Sequence, residues 1–336
     1  MRRSIVYSSV VVRRGLRRRA SAFGAFVLTA LIVLLAGCAT IPPQQATQPG
    51  GVAPASYLAD IVPPKLELPD WQVPQLDLSF LEAGERKPSN DRNWIDEQRV
   101  LAYAESDGDK VRVHNVRNAE FFSYRDCVVD HYDKTYDLSK IRTVDFIMIP
   151  FADNRAIAHT LLSFGFEGGD HVGVSVEVRL EKGESYSAAV GLLGQFELMY
   201  VVADERDLLP VRPEYRHVDV LLYRTTATPA QARGLFVDVM KRVNQLHDHP
   251  EFYDTLRNNC TTNIVRHINT LAPGRIPYDY RVLLPGYADS LAYELGLIDN
   301  SLPFDEVRRR ARISDLILQY KDEPRFSERI RGEKVR

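Results

Sequence analysis

The sequence predicts an α+β protein in which an antiparallel sheet comes first and helices pack on it afterwards. Three observations carry this. Two apolar runs, residues 157–166 and 172–180, are joined by Gly168-Gly169, the pattern of a β-hairpin. Further apolar runs at 144–151, 196–202 and 218–222 have the length of strands. From Thr228 onward, apolar residues recur at helical spacing behind recognisable caps. Strands that precede helices, instead of alternating with them, point to α+β and away from parallel βαβ units.

Taken in order, Val111-Arg112-Val113-His114-Asn115-Val116 reads as a short strand, followed by the runs just named. Thr228-Pro229-Ala230-Gln231 reads as a helix start: an N-cap, a proline at the first position and a glutamine three residues after the cap. That helix runs to about Leu246. A second begins at Cys260, because Asn258, Asn259 and Thr261 are N-cap residue types and Ile264, Val265, Ile268 and Leu271 follow at helical spacing. Residues 291–297 and 304–318 give two more helices.

Ahead of this body lies a targeting segment. Arg2, Arg3, Arg13, Arg14, Arg17, Arg18 and Arg19 precede an apolar stretch, residues 23–35, too short for a comfortable membrane span. It ends in Leu35-Ala36-Gly37-Cys38, which resembles a bacterial lipobox. Residues 1–37 are therefore expected to be removed and Cys38 to carry the lipid that anchors the chain. Residues 38–93 hold nine of the nineteen prolines and form a tether; 94–322 have globular composition; 323–336 are a polar tail. No later segment reads as a second span. Ala39, in place of aspartate after the lipidated cysteine, favours the outer membrane over the inner. The whole chain has net charge −2, and loss of seven arginines leaves an acidic mature chain, which argues against nucleic acid as a partner.

Once Cys38 is lipidated, Cys127 and Cys260 remain, and export to an oxidising compartment leaves two readings open: one disulfide, or a reactive Cys260. A thiol at a helix N-terminus feels the positive end of the dipole, which lowers its pKa. A thiol nucleophile also needs a base and the base an orienting group. His267 is seven residues on, about 10.5 Å along the same helix, too far to serve. His247 and His249 lack a third metal-ligating partner. His159 sits in the apolar strand Ile157-Ala158-His159-Thr160-Leu161-Leu162. A two-residue loop, Gly168-Gly169, sets His159 opposite Val178. A three-residue loop that adds Asp170 sets it opposite Arg179, on one face with Glu177 and Ser175. Only the second register gives His159 a carboxylate, and Glu177 between Val176 and Val178 needs a partner if buried.

Histidine on an early strand, a polar partner on the next and a later Asn-Cys helix resemble the permuted papain-like folds, namely NlpC-type peptidoglycan peptidases rearranged as in lecithin:retinol acyltransferase. More closely, the chain resembles the Lnb N-terminal periplasmic domain family of lipoprotein N-acylating transferases. The matching stretches are residues 158–166, 174–179, Asn258-Asn259-Cys260-Thr261-Thr262 and Leu283-Leu284-Pro285-Gly286-Tyr287, with Arg117-Asn118 and Tyr124-Arg125-Asp126. The resemblance implies Cys260 as nucleophile and His159 as base; the register that gives His159 a carboxylate makes Glu177 the orienting group, with Asn259, Ser175 and Arg179 expected in support. It implies no cofactor and no metal. The expected function is a lipid-anchored periplasmic thiol enzyme of the acyl-transfer class, acting on lipid or lipoprotein. The alternatives are a cell-wall peptidase or amidase acting on murein with the same dyad, or a non-catalytic lipoprotein that binds envelope components.

Overall fold

The structure, a computed structural model, describes residues 86–151, 154–186, 191 and 193–332. The signal segment, the lipidation site Cys38 and the tether up to residue 85 lie outside the described residues. The chain runs through strands β1 (Tyr103–Asp107), β2 (Lys110–Phe121), β3 (Cys127–Asp137), β4 (Ile141–Phe151), β5 (Asn154–Phe166), β6 (His171–Arg179) and β7 (Glu197–Ala203). Two one-turn helices follow, α1 (Glu205–Leu208) and α2 (Val211–Glu214), and then β8 (Leu221–Arg224). The remainder is helical: α3 (Pro229–Asp248), α4 (Cys260–Leu271), α5 (Tyr280–Leu283), α6 (Ala288–Glu294), α7 (Phe304–Ala311), α8 (Ser314–Tyr320) and α9 (Phe326–Arg329).

The strands form one open sheet in the order β1-β2-β7-β6-β5-β4-β8, with β3 paired to β2. The β2–β7 contact is parallel and the other pairings are antiparallel. The class is therefore α+β, as expected. The long β2–β3 hairpin is a finding: the sequence pattern marked only 111–116 of β2 and nothing of β3. Asp130, His131, Asp133 and Lys134 lie on that edge strand, whose residues are mostly exposed or half-buried, so no apolar run betrays it.

The central strands are buried on both faces, which explains their unbroken apolar runs. On one face Phe146, Leu162, Phe164 and Val174 pack under Phe236 and Val239 of α3 and Ile264 of α4. On the other, Ile147, Leu161 and Met199 meet Leu208 of α1, Ile317 of α8 and Phe326 of α9. The expected polar tail thus contributes a helix to the core. Just after it Arg331, itself buried, joins Asp145 (2.8 Å) to Glu205 (2.5 Å). The packed body also starts earlier than residue 94, since Arg92 already pairs with buried Glu197 at 2.7 Å. The expected helix 304–318 breaks after Ala311, where Ile313 N–H donates to Val220 at 2.9 Å in place of a helical partner.

The hairpin register corrects both expectations. Leu161 faces Ser175 and Gly165 faces His171. The loop is Glu167-Gly168-Gly169, closed by Phe166 N–H donating to the Asp170 carbonyl at 2.8 Å. Both glycines take positive φ, 91° and 87°, which a one-residue-earlier turn requires. The ladder is displaced by two residues from the three-residue-loop expectation, so the faces are unchanged. Continued past Leu161, it puts Glu177, not Arg179, across from His159.

Candidate active site

Cys260 is the first residue of α4, and its position is fixed by a reciprocal cap. The Asn259 side chain accepts the Thr262 N–H at 2.8 Å, and the Thr262 hydroxyl accepts the Asn259 N–H at 2.8 Å. Asn259 is further held by donating its amide to the Thr255 carbonyl at 2.6 Å. The thiol is buried, 5 % exposed, on the helix-covered face of the sheet.

The pairing of β5 with β6 stops at Leu161 and Ser175. Beyond that point the strand's polar groups turn to other partners. The Cys260 sulfur lies 3.9 Å from the Thr261 hydroxyl, with the His159 imidazole and the polar groups of Thr160 near enough to act on its pKa. Thr160 Oγ1 lies 3.0 Å from Thr261 Oγ1, tying strand to helix. Burial alone would push the thiol pKa up. The hydrogen bond and charge of His159 outweigh it and hold Cys260 at about 7.

His159 Nε2 lies 2.7 Å from Ser175 Oγ, and Ser175 donates its hydroxyl proton to Glu177 Oε1 at 2.8 Å. A hydroxyl has one proton. Given to Glu177, it leaves the serine oxygen to accept from Nε2–H, so Nδ1 is the nitrogen free to take a proton from the thiol. Glu177 stands 3.9 Å from Nε2 and acts on it through Ser175. Half-buried as it is, this carboxyl would be pushed up by desolvation, but Arg117, His159 and Arg212 bring it down to about 2. It is therefore ionised across the whole working range.

Of the residues expected at the site, Cys260, His159, Ser175, Glu177 and Asn259 come together. Arg179 does not join them. Its guanidinium, 2 % exposed, donates to the carbonyls of Gln98 (2.8 Å) and Arg99 (2.7 Å) and lies over the Trp94 ring, clamping the segment ahead of β1. Both described cysteines are free thiols. His267 is held by Asp238 (2.7 Å) and the Tyr200 hydroxyl (2.9 Å), away from the sulfur. Among the described residues no group of three or more His, Cys, Asp or Glu could hold a metal ion.

Several neighbours carried no signal in the sequence. Thr160 was read only as a strand residue. Tyr253 and Tyr186 are raised by burial and, more weakly, by the nearby Cys260 charge, which puts two phenols near Cys260. Gly286 was quoted only within a motif, and the structure explains it. A Cβ there would lie 1.9 Å from the Arg155 carbonyl oxygen, so only glycine lets the turn Pro285–Tyr287 seat against β5, four residues before His159.

An apolar cavity of about 230 Å³ runs beside α4. Its lining starts at Thr261, next to Cys260, follows Ile264, Val265 and Ile268, and reaches Leu271 and Arg275, which are exposed. Ten helical residues separate Thr261 from Leu271, about 15 Å along the axis. Leu162, Ile276 and Leu291 close its walls.

Residues 129–286 match the model of the Lnb N-terminal periplasmic domain family. The matched stretch holds His159, Ser175, Glu177, Asn259, Cys260 and Gly286, and it points to a periplasmic envelope protein. No curated protein and no solved structure matches the chain. Among the described residues no helix is long and apolar enough to cross a membrane.

Proposed function

We propose that the protein is a lipid-anchored periplasmic thiol enzyme of the acyl-transfer class, with the permuted papain-like order of histidine strand before cysteine helix. The observation that carries this is a capped helix-start cysteine whose thiol His159 holds low, beside a chain in which Ser175 links that histidine to an ionised glutamate. His159 Nδ1 takes the thiol proton, and the Cys260 sulfur attacks an ester or amide carbonyl. The carbonyl π electrons move to oxygen, and backbone N–H groups at the start of α4 hold that oxyanion. As the oxygen lone pair returns, the bond to the alcohol or amine breaks, and that leaving group takes the proton from His159. The product is a Cys260 thioester. An incoming water, alcohol or amine gives its proton to His159, attacks the thioester and releases the thiolate, which is reprotonated. Water makes the enzyme a hydrolase; an alcohol or amine makes it a transferase.

The cavity favours acyl chains over murein peptides. Its walls are leucine, isoleucine and valine, it begins one residue from the nucleophile, and it offers a peptide few polar partners. The test is intact-mass analysis of the purified chain after brief exposure to a p-nitrophenyl acyl ester. The expected product is one acyl group on Cys260 and none on a Cys260→Ala variant. Equal ester turnover by Cys260→Ala, or no adduct at any chain length alongside cleavage of murein peptides, would overturn the acyl reading.

A further inference from the structure

Near Glu177, on the turn that follows α1, two arginines lack full partners. Arg212 and Arg216 are four apart on the turn that forms α2, so their side chains share a face. The turn ends in a fixed reversal: Arg216 N–H donates to the Val211 carbonyl and Val218 N–H to the Arg212 carbonyl, each at 3.1 Å, with His217 in the left-handed region at φ 51°. Arg212, 12 % exposed at its side chain, reaches Glu177 only at 3.8 Å. Its Nε makes one long bond, 3.4 Å, to the Leu208 carbonyl. Arg216 Nε is buried without a hydrogen-bond partner. The Arg216 guanidinium lies over the Tyr124 ring at 5.2 Å, and Arg125 lies over the same ring at 5.9 Å.

A guanidinium has five donors, and leaving them unmet in a half-buried place is costly. The carboxylates nearby do not meet them. Glu177 is engaged by Ser175, and Asp207 is taken by Arg117 at 2.6 and 2.7 Å. Glu97, the remaining acid, is raised by its own burial. The pair is also close enough that burial and the charge of Arg216 lower Arg212 to about 10. An oxyanion between the two forks would satisfy the donors and relieve the repulsion.

We propose that Arg212 and Arg216, with Tyr124 and Arg125 at the rim, form a binding site for a phosphate or phosphodiester group. The cavity along α4 begins at Thr261, next to Cys260, and the cluster adjoins Glu177 at the far end of the His159–Ser175–Glu177 chain. Together they fit an amphiphile, with its acyl chain in the cavity and its anionic group on the arginines. Assigning the anion to the substrate rests on the thiol-enzyme reading; the binding itself does not.

The experiment is calorimetric titration of the full chain carrying Cys260→Ala, so that no turnover contributes. Three probes are used: inorganic phosphate, monomeric dihexanoylphosphatidylglycerol, and dihexanoylglycerol, which lacks the phosphate. The phosphodiester lipid should bind about tenfold more tightly than dihexanoylglycerol. That preference should vanish in Arg216→Gln and in Arg212→Gln and return in part in Arg216→Lys. Arg216→Gln removes a charge that rests only on the exposed Tyr124 ring and is paired with no carboxylate, so its melting temperature should not fall, which separates lost binding from lost fold. Binding of inorganic phosphate with no lipid preference, abolished by Arg216→Gln, upholds the site and assigns it to a free phosphate. Equal affinity for the two lipids with no phosphate binding, or a preference unchanged in both glutamine variants, overturns it. A wild-type chain that never acylates Cys260 yet keeps the arginine-dependent preference would sink the thiol chemistry alone.

Discussion

The two described cysteines stand in opposite surroundings. Cys260 is buried and its thiol is held at about 7; Cys127, at the start of β3, is only half-buried and is pushed up to about 11. Burial raises both, so burial does not separate them. Cys127 has Glu97 beside it, an acid that disfavours a thiolate, whereas Cys260 has His159 and the Thr160 donors. The difference shows that a buried thiol is held low by the groups around it and not by its accessibility.

The largest change comes from removing the sulfur itself. Cys260→Ala should lower acyl-ester turnover by about a thousandfold or more while leaving the fold intact by circular dichroism. Removing the partner comes next. In His159→Ala the thiol should return to or above its ordinary range, so iodoacetamide labelling of Cys260 at pH 7 should slow by at least about tenfold. Gly286→Ala sharpens the contrast from a distance. Pushing against Arg155 of β5 should cost about 1–3 kcal/mol in urea unfolding and slow labelling of Cys260 but not of Cys127. Glu177→Gln should have a smaller effect, a few-fold slower acylation. Because the Glu177 carboxyl is lowered to about 2, its contribution to stability is present above the usual glutamate range and is lost as pH falls towards 2. The glutamine variant should therefore lose less stability than wild type between pH 5 and pH 2 in thermal melts. Cys127→Ser should leave acylation unchanged.

Much of this site could be read in the sequence because its signals are local. The N-cap residue types at Asn258 and Asn259 mark the start of α4, although the reciprocal partner is Thr262 and not Thr261, and the box at Thr228 and Gln231 is legible as a pattern of four residues. The shared face of His159 and Glu177 survived a wrong register because a two-residue displacement preserves strand parity. What could not be read depends on distant segments. Ser175 as the atom between histidine and glutamate needed the true register. Arg212 and Arg216 enter from a turn more than thirty residues beyond Glu177, with no apolar pattern to mark them. Strand β3 was hidden because its partner supplies the apolar face. Arg331 has the local look of a polar tail because nothing near it in sequence shows that Asp145 and Glu205 are buried and need a cation.

The central claim is that His159 makes Cys260 the acidic thiol of the pair. The most direct measurement is the rate of iodoacetamide labelling at each cysteine against pH, read by peptide mass spectrometry on the folded wild-type chain. The account predicts that Cys260 labelling reaches half its plateau near pH 7 while Cys127 stays slow until far more alkaline conditions. Labelling of Cys127 at a lower pH than Cys260, or of both with one common profile, would contradict it.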